Sequence, residues 1–184
     1  MVDNALIANK FCDICNSLLQ TWQLRKHLFD TNEDIDVLKN PNFGNLFNII
    51  INSLQELWIL KLVNLHDKVK FGDKYNLSLQ YIINTLPFSK DKLLKLKNLK
   101  ENMDIFYISI KQARNQIISH NDLESIILEK ELGTFSENHD EQYFACLIEF
   151  ADIISREFTG ETFCYDDLIK NDVIHFMHCI KKGN

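Results

Sequence analysis

Glycine and proline are scarce in this sequence, which has five glycines and two prolines among 184 residues. Because these residues mark most tight turns, a chain with so few of them favours long helices with few connections. A regular alternation of apolar and polar residues, which would indicate strands, is also lacking, and no internal repeat or linker divides the chain. We therefore predict an all-α fold: an up-and-down bundle of about five to six helices, forming a single domain over residues 1–184.

Signals for export or membrane insertion are also missing. The N-terminal segment lacks a basic start, and Asp3 and Asp13 interrupt its apolar run. The most apolar stretch, residues 46–65, contains polar residues such as Glu56 and Lys61. It therefore predicts a buried amphipathic helix and not a membrane span. We expect a cytoplasmic protein with no membrane partner.

The five cysteines are an odd number and form no compact disulfide framework, so in the cytoplasm we expect reduced thiols. Cys12 and Cys15 have the spacing of a metal or redox pair, and His175 and His178 could complete a zinc site. Both cysteines also lie next to the apolar face of a helical pattern, where free cysteine is a common core residue. We favour the core interpretation, and we predict no metal and no cofactor.

Apolar periodicity and capping residues predict the helix boundaries. The predicted helices cover about residues 3–28, 45–66, 77–86, 90–119, 138–158 and 164–181, with a short helix at 122–132. Ser89 is the predicted N-cap of the helix at 90–119, and Gly160 ends the helix at 138–158. The segment 66–76 is predicted to be a loop, and the connection 30–45 to contain one helical turn.

Charge is unevenly distributed along the chain, whose net charge is −6. Residues 61–120 carry 11 Lys and Arg against five Asp and Glu, whereas residues 121–184 carry five against 14. A basic region can hold a phosphate backbone even in an acidic protein. The alternative is that the lysines between residues 90 and 100 form only a solvated helix face.

The longest regular apolar pattern ends in the motif ARNQIISHND, residues 113–122. Its members follow a 3-4 spacing and are Leu96, Leu99, Met103, Phe106, Ile110, Ala113 and Ile117. The next position in this heptad seam is His120, and Arg114 lies beside the seam. If the seam packs on a second copy of the chain, two arginines and two histidines come together. The seam could equally be satisfied within one chain, by the second and fifth predicted helices.

The residue types in this motif suit phosphoryl transfer. Histidine can move protons near neutral pH, and arginine can bind a phosphate and stabilise developing negative charge. Asn115 could donate a further hydrogen bond. In the alternative interpretation, His120 caps free carbonyls at the helix end and Arg114 pairs with Asp122 or Asp67.

Two blocks of the sequence resemble a known superfamily. ARNQIISHND is similar to the HEPN signature, in which an arginine and a polar residue precede a histidine by a few positions. Residues 64–86 resemble the AbiU-type branch of that superfamily, known from abortive phage infection. In this segment Asp67 ends a helix, and after a short loop the sequence Asn76-Leu77-Ser78-Leu79 begins the next. Together the blocks extend the resemblance over roughly residues 22–160.

The resemblance implies a helical bundle that dimerises with its motif helices facing each other. It also implies a metal-independent endoribonuclease, in phage defence or as a toxin, in which the RNA 2′-hydroxyl attacks the adjacent phosphate. His120 would then move the proton, Arg114 would bind the phosphate, and Asn115 would be the polar residue after the arginine. Asp67 and Asp122 would be supporting residues, with Asp67 orienting Arg114.

The implied partners are RNA, a second copy of the chain and, for a toxin, a cognate antitoxin protein. Some HEPN proteins keep part of the motif without cleaving RNA. The alternative function is therefore a non-catalytic HEPN module that binds a partner protein or a nucleotide.

Overall fold

A computed structural model describes residues 3–40, 44–117, 139–165 and 167–183, with side chains at all of these except 112–117 and 183. The structure is 79% helical, which confirms the all-α class. Seven α-helices lie in this described part: α1 (Asn4–Arg25), α2 (Ile35–Leu38), α3 (Gly44–Leu65), α4 (Leu79–Thr85), α5 (Lys90–Ile117), α6 (His139–Phe158) and α7 (Leu168–Gly183). A π-helical turn, Lys26–Asp30, follows α1, and two short strands, β1 (Lys70–Phe71) and β2 (Lys74–Tyr75), form a hairpin.

Capping residues set three of the helix ends. The Lys92 backbone N–H donates to the Ser89 hydroxyl at 3.4 Å, which confirms the predicted N-cap of α5. Helix α4 starts two residues later than predicted because Ser78 caps it, accepting from the Tyr81 N–H at 3.3 Å. Gly160 follows the end of α6 with a left-handed φ of 77°, as a C-terminal glycine does.

The predicted start of the last helix, at residue 164, was wrong: α7 begins at Leu168. The preceding residues are held by Gln23 instead, whose side-chain amide donates to the Tyr165 hydroxyl at 2.7 Å and to Asp167 at 2.9 Å. The single helical turn predicted within residues 30–45 is α2. The short helix predicted at 122–132 lies outside the described residues.

The segment predicted to be a loop between α3 and α4 contains a β-hairpin. Lys70 pairs with Tyr75 and Phe71 with Lys74, leaving a two-residue turn of Gly72 and Asp73. Gly72 has a φ of 59°, which this kind of turn requires at its first position and which glycine adopts without strain. Two-residue strands are too short to show alternation, and this is why the sequence pattern did not reveal them.

The chain folds into two compact units. The first unit consists of Met1–Cys15 and Ile59–Cys164, and the second of Asn16–Trp58 and Tyr165–Asn184. The core of the second unit is a cluster of Leu28, Leu38, Phe47, Val173 and Met177. The single domain over residues 1–184 stays a prediction.

In the first unit, α5 packs against α6. Lys92, near the start of α5, pairs with Glu157 near the end of α6, whereas Phe106 contacts Tyr143 near the start of α6, so the two helices are antiparallel. The described seam residues are all buried: Leu96, Leu99, Met103, Phe106 and Ile110. This part of the seam is therefore satisfied within one chain, the second of the two predicted alternatives.

Helix α3 is buried on one side only. Trp58, Leu62 and Leu65 are buried, whereas Ile49 is 64% and Leu57 42% exposed. The helix is therefore less amphipathic than predicted, because its other side carries large apolar residues in solvent. By length and composition alone the helix is apolar enough to cross a membrane, with a mean hydropathy of 1.4 over a stretch that is 28% buried.

Candidate functional site

The motif begins in the last turn of α5. The backbone is helical through Ile117, so Arg114 and Asn115 lie on this helix. Their side chains, and all of His120 and Asp122, lie outside the described residues. Because the backbone is helical up to this point, the position of Arg114 around the helix axis can be compared with those of earlier residues of α5. Counting in heptads, Arg114 occupies the same position as Tyr107 and Lys100.

A buried polar cluster lies along this line, around His66. The His66 side chain is only 1% exposed, at the turn that follows α3. Its Nδ1 lies 2.9 Å from Asp104 Oδ1, and its Nε2 lies 3.0 Å from the Tyr143 hydroxyl. Its ring stacks on Tyr107 with centroids 4.2 Å apart and an interplanar angle of 6°. One imidazole thus connects the end of α3 to both α5 and α6.

Burial lowers the pKa of His66, against the opposing hydrogen bond and charge of Asp104. Burial also holds the pKa of Tyr143 well above its ordinary value, so the tyrosine keeps its proton. The hydroxyl therefore donates to His66 Nε2, and Nδ1 carries the hydrogen that is donated to Asp104. At neutral pH this is a neutral histidine with both ring nitrogens satisfied.

Asp104 is the charged member of the cluster. Its partial burial acts to raise its pKa, but hydrogen bonds from His66 and Lys100 outweigh this, and the pKa of Asp104 lies below its usual range. Lys100 lies one turn earlier on α5, with its Nζ 2.7 Å from Asp104 Oδ2. The acid is thus shared between a neutral donor and a cationic donor.

Asp67, the predicted supporting residue, directly follows His66. It is half-buried in the turn after α3, where its backbone N–H donates to the Asn64 carbonyl at 3.3 Å. Its charge acts to raise the pKa of His66. Because His66 is fixed against α5, the backbone of Asp67 is held next to the anchored residue. Its predicted role in orienting Arg114 stays a prediction.

Sequence reasoning missed His66, Asp104 and Tyr143. One signal was available: His66 follows Leu62 by four residues, so the helical spacing of α3 already directed it inward. Asp104 gave a second signal, because it follows Lys100 by four residues on α5, the spacing of an ion pair on one helix face. Only the packing of three helices reveals that these side chains meet.

Two lysines near the start of α5 form ion pairs within the chain. Lys92 pairs with Glu157, and Lys95 with Glu149, both on α6. The positive charge of these two lysines, which the sequence suggested for phosphate binding, is therefore already paired with carboxylates of the same chain.

The cysteine pair has the features of core residues. Cys15 is fully buried, and burial raises its pKa well above its ordinary value; burial also raises the pKa of Cys12 to about 11. The Cys12 thiol donates to the Ala151 carbonyl at 3.8 Å. Thiols with raised pKa values are poor metal ligands because the ligand is the thiolate. Within the described ranges no group of three or more His, Cys, Asp or Glu could hold a metal ion.

Comparison with known proteins places the chain in a family. A model of the HEPN-type family described as AbiU2 matches residues 7–177. No curated protein and no solved structure matches the chain. The matched range includes the His66 cluster, the hairpin and the whole ARNQIISHND motif.

Proposed function

The chain belongs to the HEPN AbiU2 family and is a module related to abortive infection, and on that premise we propose that it is a metal-independent endoribonuclease. It acts as a homodimer in the cytoplasm, in phage defence or as a toxin with a cognate antitoxin protein. The observation that carries the proposal is the position of the motif. Arg114 and Asn115 lie at the end of a long helix, on which the arginine continues the line of Lys100 and Tyr107.

The proposed reaction is transesterification within RNA. The 2′-oxygen forms a bond to the adjacent phosphorus, and the bond from phosphorus to the 5′-oxygen breaks, leaving a 2′,3′-cyclic phosphate. A homodimer supplies two copies of His120, so one can take the 2′-hydroxyl proton while the other protonates the leaving 5′-oxygen. Arg114 stabilises the charge on the phosphate oxygens, with Asn115 as a further donor and Asp67 and Asp122 as supporting residues.

The homodimer must use a face of α5 other than the buried part of the seam. The outer side of the helix carries three exposed apolar residues: Leu94 (61%), Ile105 (64%) and Ile108 (59%). A second copy of the chain could cover these apolar residues in a two-fold contact. Their exposure supports the outer face of α5 as the dimer contact.

The test is incubation of the purified protein with total RNA in EDTA, with wild type beside Arg114→Ala and His120→Ala. Lys97→Ala is the control, since it removes an exposed basic residue of the same helix. We expect cleavage with 2′,3′-cyclic phosphate ends by wild type and Lys97→Ala, and losses of at least about 100-fold in the other two, as for removal of a general acid–base group. Circular dichroism checks that the inactive variants are folded.

Absence of cleavage by all four proteins would contradict the proposal. It would favour the alternative, a non-catalytic HEPN module that binds a partner protein or a nucleotide. Cleavage that stops in EDTA and returns with a divalent ion would contradict the metal-independent mechanism.

A further inference from the structure

The hairpin between α3 and α4 has no face packed against the core. All four of its strand residues are exposed, with Phe71 at 82% and Tyr75 at 66%. At Gly72 nothing lies within 4 Å of the position that a Cβ would take, so the turn projects into open space. A two-stranded hairpin contributes little stability by itself. Packing therefore does not explain why Phe71 is there.

The strand register gives each face of the hairpin the same composition. Residues directly opposite each other share a face, so Lys70 lies beside Tyr75, and Lys74 beside Phe71 on the other face. Lys70 Nζ lies 5.5 Å from the centroid of the Tyr75 ring. Each face thus combines one exposed aromatic ring with one ammonium group.

Among the described residues, Tyr75, unlike Phe71, contacts another aromatic side chain of the first unit. Its ring lies 6.2 Å from that of Tyr81 in an edge-to-face arrangement. Together with Leu6 and Leu77, these two tyrosines line a shallow cavity of about 260 Å³. The Tyr75 side of the hairpin therefore contacts the rest of the first unit, whereas Phe71 extends into solvent.

The hairpin is a basic patch in an acidic protein. Residues 68–75 contain Lys68, Lys70 and Lys74 against Asp73 alone, a net charge of +2, whereas the whole chain carries −6. In the part of the chain that the structure describes, these three lysines form no ion pair, unlike Lys92 and Lys95 of α5. Their charge is available to an external anion.

From this arrangement we propose that the hairpin binds single-stranded RNA, with unpaired bases stacked on Phe71 and Tyr75 and phosphates held by the adjacent lysines. Aromatic rings stack on the face of any base, and alternating lysines can follow a phosphate backbone. A duplex hides its base faces, so it cannot use the rings in this way. The choice of RNA rests on the proposed ribonuclease function. The hairpin would supply RNA contacts that Lys92 and Lys95 of α5, which are already paired, do not supply.

The test measures binding in the full chain carrying His120→Ala, so that RNA is not consumed. The probe is a short fluorescein-labelled oligouridylate, followed by anisotropy at several salt concentrations. Adding Phe71→Ala is expected to weaken binding by about 5- to 150-fold, the effect of losing one stacked base. Phe71→Trp is expected to retain the affinity, because the indole ring can also stack. Lys74→Ala should reduce the slope of log K against log salt by about 0.7.

Two matched variants control for loss of surface apolarity and of charge. Leu168→Ala removes a 60% exposed apolar residue from α7, and Lys97→Ala removes an exposed lysine from α5. Both are expected to bind like the His120→Ala parent. Phe71 is so exposed that Phe71→Ala should leave the melting temperature unchanged, which separates lost binding from lost folding.

Equal binding by the parent, Phe71→Ala and Tyr75→Ala would overturn the proposal, even if wild type cleaves RNA. Equally tight, Phe71-dependent binding of a blunt RNA duplex would overturn the single-strand preference. If Phe71→Ala bound oligouridylate as well as the parent but no longer adsorbed to phosphatidylserine vesicles to which the parent adsorbs, the hairpin would be assigned to lipid instead. If wild type cleaves no RNA but Phe71-dependent binding is present, the ribonuclease proposal fails while the binding platform stands.

Discussion

At the scale of single residues, His66 has the least ordinary environment in the described part of the chain. Both nitrogens of this neutral imidazole are hydrogen-bonded inside the protein, so we expect His66 to act as a positioning residue. It links the end of α3 to Asp104 on α5 and to Tyr143 on α6. Asp67 follows it directly, so any role of Asp67 near the motif depends on this anchor.

The lowered pKa of His66 makes a pH-dependent contribution to stability. The unfolded chain binds a proton at about the ordinary value of 6.5, whereas the folded chain binds it only at lower pH. Stabilisation is therefore full above 6.5 and is lost as the pH falls through the folded pKa. Urea titrations between pH 7.5 and 5 should show a slope from this residue of at most about 1.4 kcal/mol per pH unit.

His66→Asn is the variant for this measurement, since its amide can still donate to Asp104 but does not titrate. We expect lower stability than wild type at pH 7.5 and a shallower decline towards pH 5. His139→Asn, which changes a histidine at the start of α6, controls for titration of histidine in general. The same decline in wild type and His66→Asn would contradict the assigned protonation state.

At the scale of elements, α5 carries different chemistry on different sides. Its buried side is the apolar seam, a neighbouring line carries Lys100, Tyr107 and Arg114, and the outer side carries exposed isoleucines. Helix α4, which contacts α5 and follows the hairpin, has a fully buried N-cap serine, Ser78.

Ser78→Ala tests that cap. The hydroxyl is buried and accepts from the Tyr81 N–H, so its removal leaves that N–H without its partner and should cost about 1–2 kcal/mol of unfolding free energy. Ser89→Ala at the start of α5 is the matched control, because this cap is exposed and water can replace the lost oxygen. Denaturant unfolding of both variants makes the comparison. An equal or larger loss for Ser89→Ala would contradict the importance of burial at Ser78.

At the scale of the whole molecule, the main question is how two motifs would meet. The seam is not available from Leu96 to Ile110, because one chain already buries it. The exposed outer face of α5 is the part of the described motif helix that a second copy can reach.

The double variant Ile105→Lys/Ile108→Lys tests this interface. Placing four lysines in the two-fold contact should convert the dimer to a monomer and abolish RNA cleavage. Light scattering after size exclusion should give a mass near the 21.6 kDa of one chain for this variant, and twice that for wild type. Leu168→Lys, an equivalent change on α7, should stay dimeric. A dimeric double variant would rule out this face.

Much of the fold follows from the sequence because helices are local. The 3-4 spacing of α5, the serine before Lys90 and the glycine after α6 act within a few residues of their own positions, and their outcomes were predictable. The hairpin was missed because two-residue strands leave no periodic trace. The late start of α7 was missed because Gln23, far away in sequence, holds Tyr165 and Asp167.

The sequence by itself determined the helical class, most helix boundaries and the position of the Arg–His motif at the end of the seam. Only the tertiary structure decided that the seam from Leu96 to Ile110 is buried within the chain, that Lys92 and Lys95 of α5 pair with glutamates of α6, and that His66 meets Asp104 and Tyr143. It also decided that Phe71 stands in solvent. The physical reason is that capping and periodicity depend on neighbours along the chain, whereas burial, pairing and protonation depend on neighbours brought together by packing.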